Sequence, residues 1–269
     1  MGDFKEIIYE KRDGIAKITL NRPEKLNALT DVMGAELRTA FVDVQGDDNT
    51  RVLIITGNGS GFCSGEDVNI LRAHAQEREA RATATAAIKP VPRPSGASPL
   101  PREMERLVRK PIVAAVNGVA AGAGYGVALA SDCRICSSNA RFAHVYGRRA
   151  LVTSCEVWYL PRLIGLGPAM YHILLADDMY PEEALRLGLV SKVVPPEALQ
   201  DEAWELAGRL AERPLMSSQF TKEAIHFGLN HNLEDTMDWV GWARAVNAAS
   251  GESREGTTSF LEKRRPQFR

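Results

Sequence analysis

The 269-residue chain carries 33 basic and 34 acidic side chains, a formal net charge of −1, which excludes the basic surplus expected of a nucleic-acid binder. Its hydrophobic share of 45% and charged share of 25% are those of an ordinary globular chain of one large domain, or one domain with an appendage, and exclude disorder and collagen-like fibres. No window approaches the roughly 18 consecutive apolar residues of a membrane span, and the start Met1-Gly2-Asp3-Phe4-Lys5-Glu6 lacks the basic-then-apolar order of a signal peptide, so a cytoplasmic location and no membrane partner are expected.

From the N-terminus, Glu6-Ile7-Ile8-Tyr9-Glu10 and Ile15-Ala16-Lys17-Ile18-Thr19-Leu20 read as strands, Thr30-Asp31 open a helix, and the β-branched run Arg51-Val52-Leu53-Ile54-Ile55-Thr56 is a further strand. Between about Arg72 and Lys110 the composition shifts to Ala, Arg and Pro, including Pro90-Val91-Pro92-Arg93-Pro94. A regular helix cannot run through those prolines, so a mobile loop is predicted over 72–110, either a lid over a pocket or a disordered insertion. Ile112-Val113-Ala114-Ala115-Val116 and Arg134-Ile135-Cys136 are buried-strand candidates flanking the small-residue segment Gly118 to Ala130, which reads as a tightly packed helix. The repeating unit is strand, strand, helix, an α/β pattern. After Glu197 the pattern is almost wholly helical, with Trp204, Leu206 and Leu210 on one face and Met237, Val240 and Val246 on another. These faces pack on the core or on a neighbouring subunit.

The four cysteines, Cys63, Cys133, Cys136 and Cys155, are too few for a disulfide framework and read as free thiols. Cys133-Arg134-Ile135-Cys136 matches C-x-x-C, but a zinc site needs about four ligands. In a strand, residues three apart also point to opposite faces. No metal is expected.

Two glycine-rich stretches each follow a strand: Gly57-Asn58-Gly59-Ser60-Gly61-Phe62-Cys63-Ser64-Gly65-Glu66-Asp67, and Asn117-Gly118-Val119-Ala120-Ala121-Gly122-Ala123-Gly124-Tyr125-Gly126. The first lacks the Gly-Lys-Ser/Thr ending of a P-loop, and the second has Val127 where G-x-G-x-x-G needs its last glycine. Two readings stay open. Either these are tight turns, or their small residues let backbone N–H groups converge on one anionic oxygen, helped by the partial positive charge of a helix N-terminus.

Six segments in order then identify a resemblance: Leu20-Asn21-Arg22-Pro23-Glu24-Lys25-Leu26-Asn27-Ala28-Leu29; Gly61-Phe62-Cys63-Ser64-Gly65-Glu66-Asp67; Lys110-Pro111-Ile112-Val113-Ala114-Ala115-Val116-Asn117-Gly118; Leu160-Pro161-Arg162-Leu163-Ile164-Gly165; Ala184-Leu185-Arg186-Leu187-Gly188-Leu189-Val190; and Phe260-Leu261-Glu262-Lys263-Arg264-Arg265-Pro266. Over nearly its whole length the chain resembles the crotonase, or enoyl-CoA hydratase/isomerase, family. The resemblance implies an α/β, crotonase-like spiral of ββα units over 1–196 holding the acyl-CoA site. It implies a helical C-terminal region, 197–269, that forms a homotrimer or a dimer of trimers. It implies an acyl-CoA substrate with no separate cofactor, coenzyme A arriving as part of the thioester. By position, the amides of Cys63 and Ala123 would grip the thioester oxygen and stabilise an enolate, each such donor being worth about 3 to 4 kcal/mol. Lys25, Leu26, Gly65, Asp67 and Val68 would line the coenzyme channel, and Lys263 would lie near the nucleotide phosphates.

Hydratases of this family use two glutamates to add water across the double bond. The matching positions here hold Gly126 and either Val145 or Tyr146, and the aspartate position of some isomerases and hydrolases falls on Thr153 or Ser154. Replacements are sought nearby. His144 is a general base near neutrality or a structural histidine. Tyr146 is a proton donor or a pocket wall. Glu156, at the start of a helix containing Trp158, is a catalyst or a helix N-terminal charge. Arg148 and Arg149 read as surface residues. The leading expectation is an enzyme working through a stabilised enolate, by isomerisation, carbon–carbon hydrolysis or decarboxylation; the alternative is an acyl-CoA-binding protein without catalysis. RNA binding is a distant third.

Overall fold

Side chains pointing alternately to opposite faces of the strands split the interior into two layers. The structure, a computed structural model, describes residues 4–73, 76 and 100–268. Strands β1 (Ile7–Arg12), β2 (Ile15–Leu20), β3 (Val52–Gly57), β5 (Ile112–Val116), β7 (Cys133–Ser137) and β9 (Lys192–Val194) form one sheet in that spatial order. Only the β1–β2 pair is antiparallel, turned through Asp13 and Gly14, both at positive φ as a two-residue hairpin requires. The short strands β4 (Gly61–Cys63), β6 (Val119–Ala121) and β8 (Arg141–Ala143) form a second, parallel sheet. Each unit thus gives one strand to each sheet before its helix.

Every residue of β3 and β5 is buried, as expected of parallel strands covered on both faces. Leu53, Ile55, Ile112, Ala114 and Val116 face a core shared with helices α1 (Asp31–Gly46) and α3 (Ala123–Ala130), whereas Val52, Ile54, Val113 and Ala115 face α7 (Leu199–Ala211). The two cysteines of C-x-x-C divide the same way, Cys136 into the first cluster and Cys133 against the second. They cannot share a ligand.

Helix ends are tied down by named groups. Thr30 caps α1 by accepting from the Met33 N–H at 3.0 Å, which supplies one of the helix's orphan partners. Lys110, buried, donates to the Val44 and Asp47 carbonyls at the other end of α1. Buried Arg134 donates to the carbonyls of Leu129 and Ser131 at the C-terminus of α3 and to that of Leu189. A cation satisfying those last carbonyls fixes α3, whose other end forms the site.

Two sequence expectations change. The segment from Gly118 is not helical throughout, because Val119–Ala121 pairs with β4 and β8 before α3 begins. The predicted 72–110 loop lies mostly outside the described residues, but its last part is helix α2 (Leu100–Leu107). Pro101 is tolerated there because a first-turn residue needs no N–H partner. Beyond β8 come α4 (Glu156–Ile164), α5 (Leu166–Leu175) and α6 (Pro181–Arg186); after α7 follow α8 (Leu215–Gly228), α9 (Leu233–Ala248) and α10 (Gly251–Leu261). Trp204, Leu206 and Leu210 pack on the core as the periodicity predicts. On α9, Met237 and Val246 are exposed. Among the described residues no helix is long and apolar enough to cross a membrane.

Candidate active site

The two glycine-rich stretches meet. Gly65 has φ +93°, a conformation glycine adopts at no steric cost, and a Cβ there would stand 2.9 Å from the Ala121 carbonyl oxygen and 3.6 Å from the Ala123 nitrogen. A Cβ on Gly124 would fall 2.3 Å from the Cys63 carbonyl oxygen. The loop after β4 therefore runs in van der Waals contact with the first turn of α3. That turn presents helix N-terminal N–H groups and their partial positive charge.

Which amide of the loop faces α3 follows from the hydrogen bonds on its other side. Leu29 and Glu66 form a parallel bridge in which the Leu29 N–H donates to the Gly65 carbonyl and the Asp67 N–H donates to the Leu29 carbonyl. In that pattern Leu29 uses its own groups and the Glu66 N–H is directed the opposite way, toward β6 and α3. Cys63, by contrast, is paired with Ala120 in the sheet. Since the Ser64 N–H donates to the Leu26 carbonyl, the pairing runs through Cys63's own amide. The Cys63 side chain is fully buried with its thiol against Gly124, and burial pushes that thiol up to about 12. The Cys63 amide is therefore engaged in the sheet, whereas the Glu66 amide is on the side of its loop away from Leu29.

The segment after β8 supplies side chains. The Tyr146 hydroxyl lies 3.6 Å from where a Cβ on Gly122, the residue capping α3, would be. Burial and then the Glu156 carboxylate raise its pKa, so it stays a protonated donor. Glu156 opens α4 and is 0% exposed; its Oε1 has no hydrogen-bond partner among the described residues, and the Cys155 thiol stands 4.0 Å from Oε2. Burial pushes its carboxyl up to about 7. Gly126 makes room for this approach, because a Cβ there would lie 2.5 Å from Cys155 Sγ and 2.9 Å from Pro101 Cγ.

His144 goes elsewhere. Its ring meets Tyr125 edge-on at 5.2 Å and stacks on His172 at 6.2 Å, and burial, then His172, push it down to about 4. It is a neutral core histidine, one of the two readings the sequence left open for it.

The coenzyme candidates divide by place. Lys25 and Leu26, both exposed, lie on the turn after β2, which is fastened to the β4 loop by Ser64, whose N–H donates to the Leu26 carbonyl and whose hydroxyl donates to the Lys25 carbonyl. Asp67 is buried: it accepts from the Asn69 N–H and pairs with Arg22 at 3.1 Å, which hold its pKa down. It anchors the loop, while its neighbour Val68 is 62% exposed. Lys263 is not near them. It follows α10 beside the Arg265–Glu212 pair, and Glu212 adjoins the end of α7, whose Ala211 carbonyl accepts from Arg51 just before β3. Lys25 follows the far end of β2, which is in register with the far end of β3. Six residues of strand put about 20 Å between those ends.

A mostly parallel arrangement of ββα units followed by a helical C-terminal region defines a crotonase fold. The fold is shared, over 100% of this chain and 99% of that one, with an enoyl-CoA hydratase subunit I from Geobacillus kaustophilus at TM-score 0.86 and 30% identity, and with an enoyl-CoA hydratase from Bacillus anthracis at TM-score 0.86 and 28% identity, over 98% and 99%. The chain belongs to the enoyl-CoA hydratase/isomerase family, whose model matches residues 10–269. Curated relatives include the 1,2-epoxyphenylacetyl-CoA isomerase of Escherichia coli, 36% identical over 97% of each chain, and the (E)-benzylidenesuccinyl-CoA hydratase of Thauera aromatica, 34% identical over 98% of each. Sequence reasoning missed Glu66, Cys155 and Pro101; only Gly65, a glycine between two polar residues, hinted at the turn that aims the Glu66 amide.

Proposed function

We propose that this protein is an acyl-CoA-processing enzyme that holds the thioester oxygen between the amides of Ala123 and Glu66, the latter in place of Cys63, and works through an enolate. The observation that carries the reading is the close approach of the β4 loop to the first turn of α3, where a Cβ on Gly65 would stand 3.6 Å from the Ala123 nitrogen. Such donors act mainly on charge that develops in the transition state. The residues at the glutamate positions of hydratases, Gly126 and Val145 or Tyr146, favour isomerisation, carbon–carbon hydrolysis or decarboxylation over simple hydration. An isomerase among the relatives agrees with this. Tyr146 and Glu156, near the junction, favour an enzyme over a binding protein without catalysis.

Lys25, Leu26, Gly65 and Val68 border the coenzyme channel in this reading, and Asp67 supports it from beneath. Lys263 would serve a neighbouring protomer's ligand in a trimer or hexamer, consistent with its distance from Lys25. Exposed Met237, Trp242 and Val246 on α9 fit such an assembly.

The test is incubation with butyryl-, crotonyl-, 3-hexenoyl- and phenylacetyl-CoA in heavy water, followed by mass spectrometry of the thioesters. Deuterium gain, a shifted double bond or cleavage is the expected result. Hydration of crotonyl-CoA as the dominant reaction would overturn the reaction class, and binding without any mass change would favour the binding protein.

A further inference from the structure

We infer that Asp178 is a positioning residue of this site: it clamps Arg141 and Arg148, which bracket the segment that sets Tyr146 against Gly122. This rests on the enolate reading above and names what holds its proton donor in place.

Tyr146 and its neighbour Val145 both reach the N-cap of α3. A Cβ on Gly122 would stand 3.4 Å from Val145 Cγ2 and 3.6 Å from the Tyr146 hydroxyl. Tyr146 is only partly buried, and it lies between β8 and a single 3₁₀ turn, Gly147–Arg149. No strand ladder fixes it, so its place depends on what fastens the chain on either side.

One carboxylate fastens both sides. Asp178 Oδ2 accepts from Arg141 Nη1 at 2.7 Å, at the start of β8, and Oδ1 accepts from Arg148 Nη2 at 2.6 Å, two residues beyond Tyr146. Asp178 is itself held by the next residue, Met179, whose N–H and carbonyl exchange 2.9 Å bonds with those of Phe142. Arg148 Nε also donates to the Ala176 carbonyl at 2.8 Å, at the left-handed C-cap of α5. A Cβ on Gly147 would lie 3.1 Å from that of Ala176. Arg148, which reads from the sequence as a surface residue, therefore spends its guanidinium on the 176–178 turn. Exposed ion pairs contribute little, but the Asp178 side chain is only 9% exposed, and hydrogen bonds between a carboxylate and a guanidinium are short, directional and stronger than neutral ones.

A proton donor has to be held to within about 0.5 Å of its working position, and a misplacement of about 1 Å costs about 10²-fold in rate. The amide half of the site does not depend on the clamp, because the Glu66 loop is fastened through Leu29 and the Asp67–Arg22 pair. Loss of Asp178 therefore costs rate and spares affinity.

The experiment compares wild type, D178A, D178N, Y146F and the double variant D178A/Y146F for α-deuterium incorporation across the four thioesters named above, with acyl-CoA affinity and melting temperature measured alongside. Expected are a fall of about tenfold to a hundredfold in D178A with affinity unchanged and a smaller fall in D178N, which keeps one acceptor oxygen. The double variant should exchange within about threefold of Y146F, because a residue that acts through Tyr146 has nothing left to position once the hydroxyl is gone. A folded D178A as fast as wild type, a Y146F as fast as wild type, or losses that multiply in the double variant would each overturn the assignment and leave the enolate reading standing. So would a fall in affinity as large as the fall in rate. Should D178A not fold, D178N and R148A, each alone and combined with Y146F, decide by the same comparison. Wild type that exchanges none of the four thioesters would overturn the enolate reading and this role together.

Discussion

The two halves of the candidate site are built by different physics. On one side, the β4 loop and the N-terminus of α3 present backbone amides whose directions are fixed by sheet pairing and by glycines at close approach. On the other, the 144–156 segment presents side chains whose protonation is set by burial: Tyr146 kept neutral, Glu156 raised, His144 lowered. The first half needs only small residues in the right order, so it tolerates little change but carries little chemical identity. The second, in the enolate reading proposed above, decides which reaction follows.

The largest effect is expected from breaking the backbone half. Gly124→Val puts a branched side chain where even a Cβ meets the Cys63 carbonyl at 2.3 Å, and should lower the melting temperature by about 10 °C or more and abolish acyl-CoA binding; a variant with wild-type melting and binding would refute the close approach. On the side-chain half, Glu156 has its pKa raised from 4.5 to about 7, so the native state binds its proton more tightly. Its contribution is intact at low pH and is lost as pH rises through 7. At 1.36 kcal/mol per unit this amounts to about 3 kcal/mol. Urea titrations should find E156Q more stable than wild type by that order at pH 8 and equal to it near pH 4.5.

His144 runs the other way. Its pKa falls from 6.5 to about 4, so the unfolded chain gains the proton first and wild type loses about 2 to 3 kcal/mol between pH 6.5 and 4. His144→Phe should flatten that acid limb and leave the pH profile of the reaction unmoved; a shifted profile would return His144 to the site. Tyr146→Phe removes a donor beside Gly122 and should lower kcat about a hundredfold, the lower end of a single-donor effect, with KM unchanged. Smallest of all, Lys263→Ala should raise KM about threefold through one exposed ionic contact. An unchanged KM would remove it from the coenzyme site.

Much of the fold was legible from one sequence. Thr30-Asp31 opened the helix it announced, the β-branched run at Val52 became a strand buried on both faces, and Cys133 and Cys136 fell on opposite faces of theirs. The short strands were not legible, since a three-residue segment such as Val119-Ala120-Ala121 carries no period and is a strand only because β4 and β8 flank it. The 72–110 reading missed α2 because a proline that forbids a helix interior is welcome in its first turn.

By itself the sequence determined the family, the order of elements and the two places where small residues let backbone approach backbone, because periodicity, turn chemistry and glycine placement are local properties. It placed the loop donor at Cys63 by position alone, whereas the direction of each loop amide depends on which side of the loop Leu29 pairs. Nor could it separate His144 from Glu156, twelve positions apart and both titratable. Only the tertiary structure put one in a stack of rings and left the other a buried carboxylate at the start of α4, because burial and partners, which fix protonation, are properties of the packed chain.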